Sequence, residues 1–128
     1  MRRVMLMLAL AAVAALPPAA LAKAGSTAAA RTWKGEVVDA GCYMADGAKA
    51  TGESHKECAA KCFSRGMPAA LLTAGGKLVL LVPDHQDGQP YKDALAAAGD
   101  PVEITGLAMT RNGMIAVSVT GVRRLEAK

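Results

Sequence analysis

Aromatic residues are scarce in this chain, which has one Trp, two Tyr and one Phe among its 128 residues. Surfaces that bind single-stranded nucleic acid stack bases on aromatic side chains, and this composition offers little material for them. The chain also lacks a cluster of Lys and Arg that would follow a phosphate backbone, although its formal net charge is +4. We therefore predict that nucleic acid is not its partner.

Catalytic motifs are missing as well. The sequence has no Gly-x-Ser-x-Gly nucleophile elbow, no glycine-rich phosphate loop and no His-Glu-x-x-His zinc motif. Asp84 and Asp87 are close in sequence, but nothing near them indicates acid–base chemistry. These absences favour a binding protein over an enzyme.

The amino terminus has the pattern of an export signal. Arg2 and Arg3 precede an apolar run at residues 4–16, and Ala20-Leu21-Ala22 offers a cleavage site between small residues. The apolar run is shorter than the roughly 20 residues that a membrane-spanning helix needs. We predict a periplasmic or secreted protein that has no membrane attachment after cleavage.

Composition and length then divide the chain into three segments. Cleavage would leave about 106 residues, which is enough for one domain with a modest core. It would also remove two arginines and lower the net charge from +4 to +2. The predicted segments are a signal peptide at 1–22, a flexible lead at 23–30 and one domain at 31–128.

Alternating apolar residues and turn signals predict a mainly β domain. Strands are expected at 31–39, 69–73, 77–82, 102–109 and 114–122. A short helix is expected at 91–98, and Asn112-Gly113 is a strong signal for the last hairpin. Five strands with a helix between the third and the fourth follow the order of an OB-like barrel. A small SH3-like barrel or an open α+β sheet is the alternative.

The segment between the first two strands is expected to be an insertion that consists of a loop at 41–52 and a helix at 54–65. Ser54 and Glu57 match the two partners of a capping box at the start of this helix. Gly66 stands at the position after the helix where glycine is preferred. We therefore expect the helix to be well defined.

Four residues of this insertion form a candidate metal site: Cys42, His55, Cys58 and Cys62. In a continuous helix, His55, Cys58 and Cys62 fall within roughly 60° of one another, at about 100° per residue. Cys42 would complete the set from the preceding loop. Three thiolates and one imidazole are a ligand set typical of a tetrahedral structural zinc site. Asp39 and Tyr43 flank Cys42, and either is a candidate for a hydrogen bond to a ligand.

Other interpretations of the cysteines stay open at this point. Copper is the alternative metal, because Met44 and Met67 add soft donors near the thiols. The cysteine count is odd, so an oxidising compartment would also allow one disulfide and a spare thiol. Cys58 lies early in its helix, where the helix dipole lowers a thiol pKa. The alternative function is therefore a thiol-redox or disulfide-stabilised module that binds another periplasmic protein or another ligand.

Several of these residues together carry a resemblance. Gly35-Glu36-Val37-Val38-Asp39 is followed by Cys42-Tyr43, by His55-x-x-Cys58-Ala59-x-x-Cys62 and by Gly66-x-Pro68. This pattern resembles a group of small exported bacterial proteins with an OB-like fold and no assigned activity. The resemblance covers the chain from about Trp33 to Val122. It implies export, the barrel fold and a metal or redox centre at the four candidate ligands.

Overall fold

The structure is a computed structural model that describes residues 30–126. The predicted signal peptide at 1–22 and the lead up to residue 29 lie outside the described residues. Ala30, the last residue of the predicted lead, already belongs to the first strand. Within 30–126, none of the helices combines the length and the apolar character needed to cross a membrane.

Five strands close into a barrel. They are β1 (Ala30–Asp39), β2 (Ala69–Thr73), β3 (Leu78–Pro83), β4 (Pro101–Arg111) and β5 (Met114–Arg124). Their order around the barrel is β1-β2-β3-β5-β4, and β4 pairs with β1 to close it. All neighbouring pairs are antiparallel except β3 and β5, which run parallel. This arrangement confirms the predicted five-stranded OB-like barrel.

Helices lie in two places in the chain. Between β1 and β2 are α1 (Ala40–Asp46), a 3-10 turn (Gly47–Ala50), a second 3-10 turn (Glu53–His55) and α2 (Lys56–Ser64). We call residues 40–64 the helical insertion. Between β3 and β4 lies α3 (Gln89–Ala96), which confirms the short helix expected there and starts two residues earlier than predicted. Pro90 is in its first turn, where a missing N–H costs nothing.

The barrel interior is apolar and is filled by side chains from every strand. Its fully buried members include Val37, Leu71, Ile104, Val117 and Val119. Trp33 and Tyr91 are partly buried and pack against this cluster. Each fully buried aliphatic side chain contributes on the order of 1.5–3 kcal/mol relative to an exposed one. The barrel therefore has the core that the alternating pattern predicts.

The apolar run at 78–82 differs from its sequence expectation. Its unbroken hydrophobicity predicts burial on both faces of the strand. In the structure Val79 and Leu81 are buried in the core, whereas Leu78, Leu80 and Val82 are only half-buried. Side chains of a strand alternate between two faces, and in this barrel only one face points to the interior.

The helical insertion also differs from its expectation. Residues 41–52 were predicted to be a loop, but most of them form α1 and the first 3-10 turn. The capping box at Ser54 does not form, because Ser54 lies within the second 3-10 turn and α2 begins only at Lys56. The segment before α2 is tied to the barrel, since Glu36 Oε1 on β1 accepts from the backbone N–H of Gly52 at 2.5 Å. Gly52 has φ 71, and this left-handed conformation turns the chain just before the helix.

Candidate metal centre

Cys42 is positioned by the junction between β1 and α1. Asp39 ends β1 with its side chain fully buried, and its Oδ1 accepts from the backbone N–H of Cys42 at 2.6 Å. This is the N-cap bond of α1, which satisfies a donor that the helix leaves unpaired. A second bond, from Ala40 N–H to Pro68 O at 3.0 Å, ties the same corner to the segment before β2. Cys42 therefore sits on a helix that is fixed to the barrel at its first turn.

Cys58 and Cys62 are one helical turn apart on α2. The neighbouring positions Ala59 and Phe63 point toward the barrel: Ala59 is buried and Phe63 packs against the core. Because residues i and i+4 share a helix face, the two cysteines form a parallel row beside this anchored face. Cys62 is half-buried and Cys58 is exposed. Anchoring of α2 through Ala59 and Phe63 thus directs its sulfur-bearing face toward α1.

The three sulfurs converge between the two helices. The Sγ atoms of Cys42, Cys58 and Cys62 all lie within 4.8 Å of one another, and all three cysteines are free thiols. The Cys42 and Cys62 sulfurs are 3.8 Å apart, well beyond the roughly 2.05 Å of a disulfide bond. Two sulfurs that each bind a tetrahedral ion at about 2.3 Å are expected to lie about 3.8 Å apart. The described residues thus place three thiol ligands at a spacing that suits a metal ion.

His55 does not join this group. Of the four predicted ligands, the structure brings together the three cysteines, and neither ring nitrogen of His55 belongs to the cluster. Its Nε2 is buried without a hydrogen-bond partner, and the residue lines a small gap beside Glu36, Ala50 and Gly99. The 60° estimate required a continuous helix through residue 55. Residues 53–55 form a 3-10 turn instead, and the imidazole lies on the side of the insertion that faces the barrel.

Electrostatics at Cys42 favour the protonated thiol. Hydrogen bonding to the Asp39 carboxylate, followed by loss of hydration and by the neighbouring Cys62 thiol, raises the pKa of Cys42 to about 12. A proton therefore stays on this sulfur in the metal-free protein at neutral pH. A bound cation would have to displace it, which couples metal binding to proton release.

The sequence contains a signal for the start of α1, but its glycines favour a loop. Asp39 is a strong N-cap residue, and it precedes the helix directly. Gly41, Gly47 and Gly52 gave the segment the composition of a loop, and this composition concealed the helix. Asp39, one of the two candidates for a hydrogen bond to a ligand, accepts from the backbone N–H of Cys42, so this bond forms the helix cap.

An apolar groove lies on the outside of the barrel next to the insertion. Its volume is about 690 Å³, and it begins at Ala40, the first residue of α1. The other lining residues are Ala70, Lys77, Leu78, Leu80, Asn112, Gly113, Met114 and Ile115. None of these residues carries a carboxylate, an imidazole or a thiol, and Lys77 is the charged residue of the lining.

Comparison with family models, with curated proteins and with solved structures gave no match for this chain. The resemblance to small exported OB-like proteins therefore stays a prediction. The cysteine cluster itself is the strongest indication of function within residues 30–126.

Proposed function

We propose that this chain is an exported protein that binds one thiophilic transition-metal ion through Cys42, Cys58 and Cys62. The observation that carries the proposal is the convergence of the three Sγ atoms within 4.8 Å. Thiolates at this spacing suit zinc, the metal expected from the sequence, and also suit Cu(I). The ion would join α1 to α2.

The exposure of Cys58 supports a role in metal handling as well as in structure. A closed structural site has four protein ligands, whereas this cluster offers three thiols, one of them exposed to solvent. An ion held there can be approached from the side of Cys58. Exchange with a small thiol or with another metal-binding protein is therefore part of the proposal.

The proposal is tested by measuring metal content and free thiols together. We expect about one equivalent of metal per chain after anaerobic purification without strong chelators. The Cys42→Ser and Cys62→Ser variants should each lose most of it. His55→Gln is the matched control and should retain it, because His55 lies outside the cluster. Full metal content in the Cys62→Ser variant would refute the assignment.

Export is tested separately. Fractionation of the producing cells should place the protein in the periplasm or the medium. The intact mass should correspond to a chain that begins at Lys23, as the predicted cleavage after Ala22 requires. A cytoplasmic protein that retains residues 1–22 would contradict this part of the proposal.

A thiol-redox role is the second candidate, and one observation favours it. Cys42 and Cys62 have sulfurs 3.8 Å apart, so a small movement would allow them to form a disulfide. Oxidation of the metal-free protein by a small disulfide compound would give this bond and two reduced thiols from the oxidant. Peptide mapping of the protein as purified decides between the candidates. A Cys42–Cys62 disulfide without metal supports the redox role, and three reduced cysteines with metal support the first proposal.

A further inference from the structure

Met67 contacts residues on both sides of the cysteine cluster, through its backbone at Cys62 and through its side chain at Gly41. After α2 ends, Gly66 takes φ 84 and reverses the chain, and Met67 N–H then donates to Cys62 O at 3.1 Å. The Met67 methyl group lies over Gly41, so close that a Cβ on Gly41 would meet it at 2.9 Å. Gly41 immediately precedes Cys42. The backbone of Met67 is therefore hydrogen-bonded to Cys62. Its side chain contacts Gly41, the residue before Cys42.

Glycine at position 41 makes this arrangement possible. Any larger residue there would push the end of the Met67 side chain away from α1. The side chain of Met67 is 41% exposed, so it is free to change rotamer toward a bound ion. Methionine is flexible and has a polarizable sulfur, which suits this adjustment.

We propose that Met67 supplies the fourth sulfur donor of the cluster and that the site thereby selects Cu(I) over zinc. This inference rests on the proposed function, since it assigns the cation to the same three-cysteine site. A neutral thioether is a soft donor, which favours Cu(I), whereas zinc prefers thiolate, imidazole or carboxylate as its fourth ligand. The imidazole that would favour zinc belongs to His55, which lies outside the cluster.

Charge and access at the site agree with this assignment. The Asp39 carboxylate and the Cys62 thiol both lie next to Cys42, and Cys58 is exposed. A thioether is neutral, so it would complete the coordination shell without adding a negative charge to the Asp39 carboxylate and the cysteine thiolates. Cu(I) accepts three sulfur donors as well as four, so the ion would stay bound while Met67 moves. The thioether then raises affinity and is not required for binding.

Met44 provides a matched control. It is also a methionine close to Cys42, on α1, but its side chain is 75% exposed. Met67→Leu and Met44→Leu remove the same thioether and keep a similar volume. Both positions are exposed, so neither variant is expected to disturb folding.

The experiment is an anaerobic competition titration of the purified, reduced protein with Cu(I) and, separately, with Zn(II), each against a chromophoric chelator. Met67→Leu should weaken Cu(I) binding about tenfold or more, in the range typical for loss of a supporting group at a metal site, and leave zinc affinity nearly unchanged. Met44→Leu should change neither affinity. X-ray absorption at the copper edge should show only sulfur neighbours, with one fewer in Met67→Leu.

Each contrary result has a distinct meaning. Unchanged Cu(I) affinity in Met67→Leu, or an equal loss of affinity for both metals, would overturn the assignment of Met67. Nitrogen or oxygen in the copper shell would overturn it as well. Absence of both metals from the wild-type protein would refute the proposed function itself, and so the two failures are distinguishable.

Discussion

In the barrel, side chains from all five strands meet in one apolar interior, whereas Ala50 and Ala59 are the only buried residues of the helical insertion at 40–64. Polar contacts contribute more to holding the insertion in place. Lys56 forms ion pairs with Glu53 and with Asp100, the latter at 2.6 Å, and Asp39 caps α1. Apolar burial is the main source of folding free energy, so we expect the insertion to depend on additional links more than the barrel does. A bound metal would be such a link.

The largest effect on stability is expected from the barrel core. Ile104 on β4 is fully buried in the apolar cluster, and Ile104→Ala should lower the free energy of unfolding by about 2–5 kcal/mol. Met109→Ala, on the same strand but 47% exposed, is the control and should cost far less. Urea unfolding of the metal-free proteins measures both. Similar losses for the two variants would show that the barrel core is not the main source of stability.

Metal removal should act on the insertion and leave the barrel nearly unchanged. A ligand at 100 times its dissociation constant stabilises the state that binds it by about 2.7 kcal/mol. Removal by a thiophilic chelator should therefore speed amide hydrogen exchange in residues 40–64, while the amides of β4 and β5 keep their protection. Mass spectrometry of proteolytic peptides resolves the two regions. Faster exchange throughout the barrel would contradict the proposed division.

Loss of the α1 cap should have a smaller and more local effect. Asp39→Ala removes the acceptor for Cys42 N–H and should cost about 0.5–2 kcal/mol of stability. It should also weaken metal binding, because Cys42 would no longer be fixed in place. Asp39→Asn retains a capping oxygen and should keep most of the stability. Equal behaviour of the alanine and asparagine variants would argue against the cap as the cause.

The smallest effect is expected from an ion pair on the barrel wall. Glu103 contacts Arg123 at 2.7 Å and Lys34 at 3.7 Å, and hydrogen bonding to Arg123 lowers the pKa of Glu103 below its usual 4.5. A lowered pKa means that the carboxylate adds stability at neutral pH, and this stability is lost as the pH falls below about 4.5. Glu103→Gln should therefore be slightly less stable than the wild type at neutral pH. The difference should shrink in acid, both with and without metal, as followed by urea unfolding.

Local sequence signals were sufficient for the barrel because its strands alternate and its turns use distinctive residues. Asn112 and Gly113 take φ 49 and 82, the left-handed conformations that a tight hairpin requires, and the Asn-Gly pair predicted this turn. The end of α2 was equally clear, since Gly66 has φ 84 at the expected position. These features depend on a few neighbouring residues, and the sequence displays them directly.

The amino-acid sequence by itself determined the five-stranded order, the helical segment that carries Cys58 and Cys62, and the set of soft donors near it. Only the tertiary structure decided which donors meet. His55 ends a 3-10 turn and its side chain lies against the barrel. Cys42 lies on a capped helix and its sulfur lies close to that of Cys62. The segment before His55 is held by the bond between Glu36 and Gly52, which are distant in sequence. Cys42 is held by the Asp39 cap and by the bond from Ala40 to Pro68. Helical spacing describes angles within one continuous helix and contains no information about where a second helix will dock.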